Sequence, residues 1–223
     1  MRIYVIILVL TMIIQIVSRY IYLKYKKINA KCNYSGGDIS NFILRKYKHF
    51  DVSVDVLTYK TNYEQYDFEK QIIQLKQSVY YGTSITSLAM SAQRTYLYLI
   101  EEKNLLGKLK VLLTPFVYVT IGLSWFCIAI GLITSYYSLV YLGISMLVIV
   151  LIHNLITMFI EIQASRLALK FLTEEIVDDD EIKLIQIVLT NNIFFYVTNY
   201  SQTIFDIIYY ASKNLINILR KKK

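Results

Sequence analysis

The sequence predicts a mainly α-helical membrane protein, with about four transmembrane helices around a small membrane-proximal α+β element. Three observations carry this expectation. Hydrophobic residues make up 56% of the 223-residue chain and lie in long uninterrupted runs, against ~45–50% in soluble domains. Gly (7) and Pro (1) are too scarce to supply flexible linkers. Tyrosine, with 21 residues, gathers at the ends of apolar runs, as at Tyr20, Tyr22 and Tyr25, Tyr136 and Tyr137, and Tyr209 and Tyr210. An amphipathic ring suits those positions, with its face among headgroups and its hydroxyl in water.

Residues 3–23 form the first expected span, within an N-terminal anchor over 1–23. They are apolar apart from Gln15, Ser18 and Arg19, and long enough for ~30 Å of hydrocarbon. The run exceeds the apolar stretch of a signal peptide, and Lys24, Lys26 and Lys27 follow it in place of a small-residue cleavage site. Residues 24–110 are the only sizeable part expected outside the bilayer. There Ser35-Gly36-Gly37-Asp38 reads as a capped loop, and Ile39, Phe42, Ile43 and Tyr47 recur at helical spacing. Val52, Val54 and Val56 alternate with polar residues as in a half-buried strand, and Ile72 to Leu75 reads as a second short strand. Gly82-Thr83-Ser84 opens a helix expected to run to about Lys103, burying Ile85, Leu88, Ala89, Ala92, Leu99 and Ile100.

The remainder, 111–223, reads as membrane helices. A second span is expected over 111–133, with Pro115 near its start, then a tight turn over Thr134 to Ser138 and a third span over 139–160. An acidic loop, Glu174 to Glu181, precedes a fourth span over about 185–210. That span is weakened by Asn191, Asn192, Asn199, Gln202 and Asp206, whose polar groups should face the bundle.

The net charge of +8 does not point to nucleic acid, because much of the basic charge flanks apolar segments. Those flanks place a multi-pass chain in the cell membrane with residues 24–110 on the cytoplasmic side. The Arg220 to Lys223 tail disagrees if the fourth segment spans once; that segment then lies along the surface, or the topology is inverted. Cys32 and Cys127 fall in different environments and imply no disulfide.

Taken alone, the residues display no catalytic site. There is no HExxH, no cysteine pair at zinc spacing, no phosphate loop and no nucleophile elbow; the histidines are His49 and His153. His49, in a lysine-rich stretch, reads as a surface residue. His153, beside Asn154, reads as a hydrogen-bonding residue of the bundle. Eight residues separate it from Glu161, ~12 Å along a helix, so the two cannot ligate one ion directly.

Two blocks carry a resemblance. Ser78-Val79-Tyr80-Tyr81-Gly82-Thr83-Ser84-Ile85 followed by Ala89-Met90-Ser91-Ala92, and Glu161-Ile162-Gln163-Ala164-Ser165-Arg166-Leu167-Ala168-Leu169, resemble segments of the YugP-like neutral zinc metallopeptidases. Tyr66-Asp67 and the Ile72 to Leu75 strand fit in order, and the similarity covers nearly the whole chain. The resemblance implies a zincin-like element in which the helix after Tyr-Tyr-Gly-Thr-Ser carries HExxH, two histidines binding zinc and a glutamate activating water. Those positions fall here on Gln93, Arg94 and Leu97. Glu161 falls where the resemblance implies the third ligand.

The resulting expectation is a catalytically inactive membrane pseudo-peptidase. It has no zinc cofactor, the bilayer as its surroundings and a protein or peptide as its partner, and it binds a polypeptide or regulates an active relative. The strand before the helix is the expected place for an extended peptide to pair. An active zinc peptidase with unconventional ligands and a purely structural membrane protein are the alternatives. Glu161, facing no dication, is expected to pair with Arg94 through two parallel hydrogen bonds, with Arg166 or water as the competing partner.

Overall fold

The computed structural model describes residues 2–57, 66–67 and 71–194. It is mainly helical with one small sheet. Helix α1 spans Arg2–Tyr25. Helix α2, Gly36–Lys46, begins at a reciprocal cap: Ser35 Oγ accepts from the Asp38 amide at 3.2 Å, and Asp38 Oδ2 accepts from the Ser35 amide at 2.9 Å. That exchange satisfies two of the amides that a helix start leaves orphaned. Strands β1 (Ser53–Val56), β2 (Tyr66–Asp67) and β3 (Ile72–Leu75) follow. Then come a single turn α3 (Gln77–Tyr80) and the long helix α4 (Ile85–Lys103), whose Ser84 cap accepts from the Ser87 amide at 3.2 Å.

The sheet has the order β1-β3-β2, with β1 parallel and β2 antiparallel to β3. This alters one expectation. The strand before the helix, β3, is central and already paired on both sides, so it is not an open edge for a peptide.

Asn104 ends α4 and begins α5 (Leu105–Ile133), a one-residue corner. Helix α6 (Tyr137–Glu175) returns antiparallel after a turn in which Ser135 takes φ 56°. The two helices approach closely at Gly143, where a Cβ would lie 2.7 Å from the Ser124 carbonyl oxygen. Small residues permit such contact between apolar helices. Helix α5 starts six residues before the expected span, and α6 continues fifteen residues beyond Ile160, so the third segment is one 39-residue helix. Its second half changes partner from α5 to the face of α4, and apolar residues at helical spacing keep it wound.

Among the described residues two helices, α5 and α6, are long and apolar enough to cross a membrane. The other two expected spans are helical where described: α1 over the first, and α7 (residues 179–194) over the start of the fourth. Positions 195–210 lie outside the described residues. The expected acidic loop shortens to 176–178, because Glu174 and Glu175 complete α6 and Glu181 lies on α7. Its carboxylates are used: Lys31 Nζ pairs with Asp180 at 2.9 Å, and Lys46 Nζ with Glu175 at 2.8 Å.

The core gathers Ile39 and Ile43 of α2, Ile73 and Leu75 of β3 and Leu88 and Ala92 of α4. It also takes in Ala164, Ala168 and Leu172 of α6 and Ile185 of α7. Helix α4 runs through its centre and is buried nearly all round, more than the single buried side that periodicity predicts. Residues 28–30 pair with 83–85, as Ala30 donates to the Thr83 carbonyl and Ile85 to the Ile28 carbonyl, each at 2.9 Å. The end of α1 is thereby tied to the start of α4.

Candidate functional site

The structure brings Gln93, Arg94 and Glu161 together where α4 crosses the second half of α6. Three apolar contacts set the crossing, since Ala92, Ala164 and Ala168 are fully buried and let the helix axes approach. Gln93 and Leu97, four residues apart, share a helix face; both are buried, Gln93 completely. Glu161 is 2% exposed.

Arg94 Nη1 donates to Glu161 Oε1 at 3.3 Å. The expected pair is therefore present, through one long contact rather than two parallel bonds. The reason is competition for the carboxylate. Gln93 Nε2 donates to Glu161 Oε2 at 3.1 Å and to Ser165 Oγ at 2.8 Å. Ser165 Oγ in turn donates to the Glu161 carbonyl one turn back, at 2.8 Å. Asn192 Nδ2, from α7, donates to Gln93 Oε1 at 2.6 Å.

The orientation of this network is determined by its chemistry. An ionised carboxylate only accepts, so Gln93 must turn its amide hydrogens to Glu161, which leaves Gln93 Oε1 to accept from Asn192. Asn191 and Asn192 both face inward as expected, Asn191 Nδ2 donating to the Ser18 carbonyl at 3.0 Å. The other polar positions of that segment, Asn199, Gln202 and Asp206, lie outside the described residues.

A second buried ion pair, not anticipated, lies about two helix turns further along α4. Lys110 of α5 bonds Glu101 of α4, with side chains 13% and 8% exposed. Burial holds the Glu101 carboxyl above its ordinary range, with Lys110 pulling the other way and Glu161 adding to the rise. No sequence signal marks Glu101, because the Glu101-Glu102-Lys103 run resembles any solvated helix end. His153 meets Thr114 Oγ1 at 3.3 Å and the Lys110 carbonyl at 3.4 Å, in keeping with a bundle residue. His49 departs from expectation. Its side chain is only 15% exposed, with Nδ1 3.4 Å from Glu102 Oε2 and its ring edge-on to Tyr98. The α2–β1 turn folds it onto α4.

Zinc does not fit these residues. The Gln93 nitrogen facing Glu161 carries hydrogens and offers no lone pair, Leu97 has no donor atom, and the Arg94 cation already faces the carboxylate. Among the described residues no group of three or more His, Cys, Asp and Glu side chains could hold a metal ion. The arrangement can bind, orient and lock helices.

Here the helix that follows a three-stranded sheet is opposed by a carboxylate from a later helix. Residues 1–214 match the family described as "Putative neutral zinc metallopeptidase", and the chain belongs to that family. No curated protein and no solved structure matches the chain.

Proposed function

We propose that this chain is a catalytically inactive member of the zinc metallopeptidase family, a multi-pass membrane pseudo-peptidase that binds a polypeptide and regulates an active relative. One observation carries the reading. Both oxygens of Glu161, the carboxylate the family resemblance assigns to zinc, are engaged by Gln93 and Arg94. The cation and the amide take over the charge and hydrogen-bonding role of a metal, so the fold keeps its inter-helix tie without one. In this reading α5 and α6 cross the membrane and residues 24–110 face the cytoplasm. An extended partner adds to the outer edge of β1 or β2, because β3 is paired on both sides.

Elemental analysis of the purified protein tests it. Less than about a tenth of a zinc per chain is expected, together with no hydrolysis of peptide libraries. About one zinc per chain, lost when Glu161 becomes Ala, would overturn the reading in favour of an active enzyme with unconventional ligands. Gln93→His, Arg94→Glu and Leu97→His together rebuild the motif, and a gain of zinc in that variant would show that the scaffold still holds ligand geometry.

A further inference from the structure

We propose that the cleft between the end of α4 and the second half of α6 is a binding site for an anionic phospholipid. The phosphate is held by Lys103 and Arg166, and an acyl chain lies over Leu99 and Leu167. The inference rests on the reading that α5 and α6 cross a bilayer.

The cleft has a volume of about 400 Å³, and its lining combines Leu99, Leu167 and the rings of Tyr47 and Tyr96 with the two basic side chains. No carboxylate lines it. Among the described residues neither Lys103 nor Arg166 has an acidic partner, and these are the two cations that line the cleft. The lysine is positioned: its Nζ stands 5.4 Å from the centre of the Tyr47 ring, a cation over an aromatic face. Tyr47 and Tyr96 meet edge to face at 5.8 Å and build the wall behind it.

Depth supplies the second argument. From the α5–α6 turn, α5 rises ~42 Å to Leu105 beside Lys103, and α6 rises ~44 Å from Tyr137 to Arg166, at ~1.5 Å per residue. A bilayer with its headgroups is ~40–45 Å thick. If the turn lies in one headgroup layer, both cations lie in the other, at the same level. Apolar side chains of α5 and α6 run from there toward the hydrocarbon, among them the exposed Leu109, Leu112 and Phe159. A phosphate between two cations at this depth, continuous with an apolar helix surface, matches an anionic phospholipid better than a soluble anion, which would have no use for the apolar wall.

The test uses the full chain, purified in a neutral detergent with equal amounts of phosphatidylglycerol and phosphatidylcholine, and native mass spectrometry to count retained lipids. One phosphatidylglycerol per chain is expected, preferred by about thirtyfold, as two headgroup-level cations each contribute roughly fivefold. Lys103→Gln with Arg166→Gln should abolish the preference, while Lys46→Gln with Lys170→Gln, equal in charge but outside the cleft, should keep it. Absence of a preference in the unaltered protein overturns the proposal whether or not the variants fold. So does a preference that survives in the Lys103/Arg166 variant. Washing isolated membranes with alkaline carbonate separates the premise: release of the chain would sink the bilayer reading, and retention without lipid preference would sink the cleft alone.

Discussion

Replacing Arg94 with alanine should destabilise the protein by about 3 kcal/mol, and replacing Glu161 should cost about 2 kcal/mol. At the observed 3.3 Å, unit charges attract by roughly 5 kcal/mol at an effective dielectric near 20. Desolvation opposes that gain, and the two partners feel its loss unequally. The Glu161 side chain is 3% exposed, so without Arg94 its charge has only the Gln93 amide to meet it. The Arg94 side chain is 18% exposed and can turn its guanidinium to water when Glu161 is gone. Gln93 then still bonds Ser165, so one donor, not two, is lost inside. The double variant should cost about 3 kcal/mol rather than the additive 5, a coupling near 2 kcal/mol. Denaturant unfolding of the four proteins in one mild detergent, followed by far-ultraviolet circular dichroism, measures it. Additivity to within about 0.5 kcal/mol would refute the pairing as a stabilising contact.

Three further outcomes are expected. Gly36→Ala should cost about 1–3 kcal/mol, because a Cβ there would lie 2.2 Å from the Val79 carbonyl oxygen, against backbone that cannot yield; an unchanged melting temperature would show that α2 can shift. Burial raises the Glu101 carboxyl above its ordinary 4.5, so its contribution is whole below pH 4.5 and fades as pH rises through the raised value. The stability of the unaltered protein relative to Glu101→Gln should accordingly fall as pH rises from 4; a flat difference would place the carboxyl in its ordinary range. Cys32, its thiol pushed up by burial, should resist an impermeant thiol reagent at pH 8.5 in intact cells and react after lysis, with Cys127→Ser as background. Labelling in intact cells would reverse the proposed orientation.

Much of the local structure was legible in the sequence because short-range chemistry writes it. The capping residue expected in Ser35–Asp38 is Ser35, although α2 already begins at Gly36 inside the stretch read as a loop. The alternation of valines around Ser53 and Asp55 specifies a strand and Gly82-Thr83-Ser84 the start of α4, and both lie where expected. The Arg94–Glu161 contact was legible through charge: a buried carboxylate needs a cation, and Arg94 stands on the helix expected to face it. Its detail was not, since a residue at 93 gives no sign in sequence that its amide will reach Glu161 68 positions later. Family membership was legible too, in the Tyr-Tyr-Gly-Thr-Ser and Ala-Ser-Arg blocks, and the match over residues 1–214 agrees.

The sequence by itself determined that the chain is mainly helical and where α2, α4, β1 and β3 lie; it contains no HExxH, and the resemblance sets Gln93, Arg94 and Leu97 at that motif's positions. Only the tertiary structure decided that α6 does not stop at Ile160, because its apolar face continues against α4 and hydropathy cannot tell lipid from protein. It decided that β3 is central, since β2 is two residues long and too short to show an alternation. It turned His49 inward and joined Glu101 to Lys110, pairs whose charges look solvated until the chain folds over them. Periodicity and capping act within a few residues and can be read from them; the partners of a buried polar group are chosen by the whole fold.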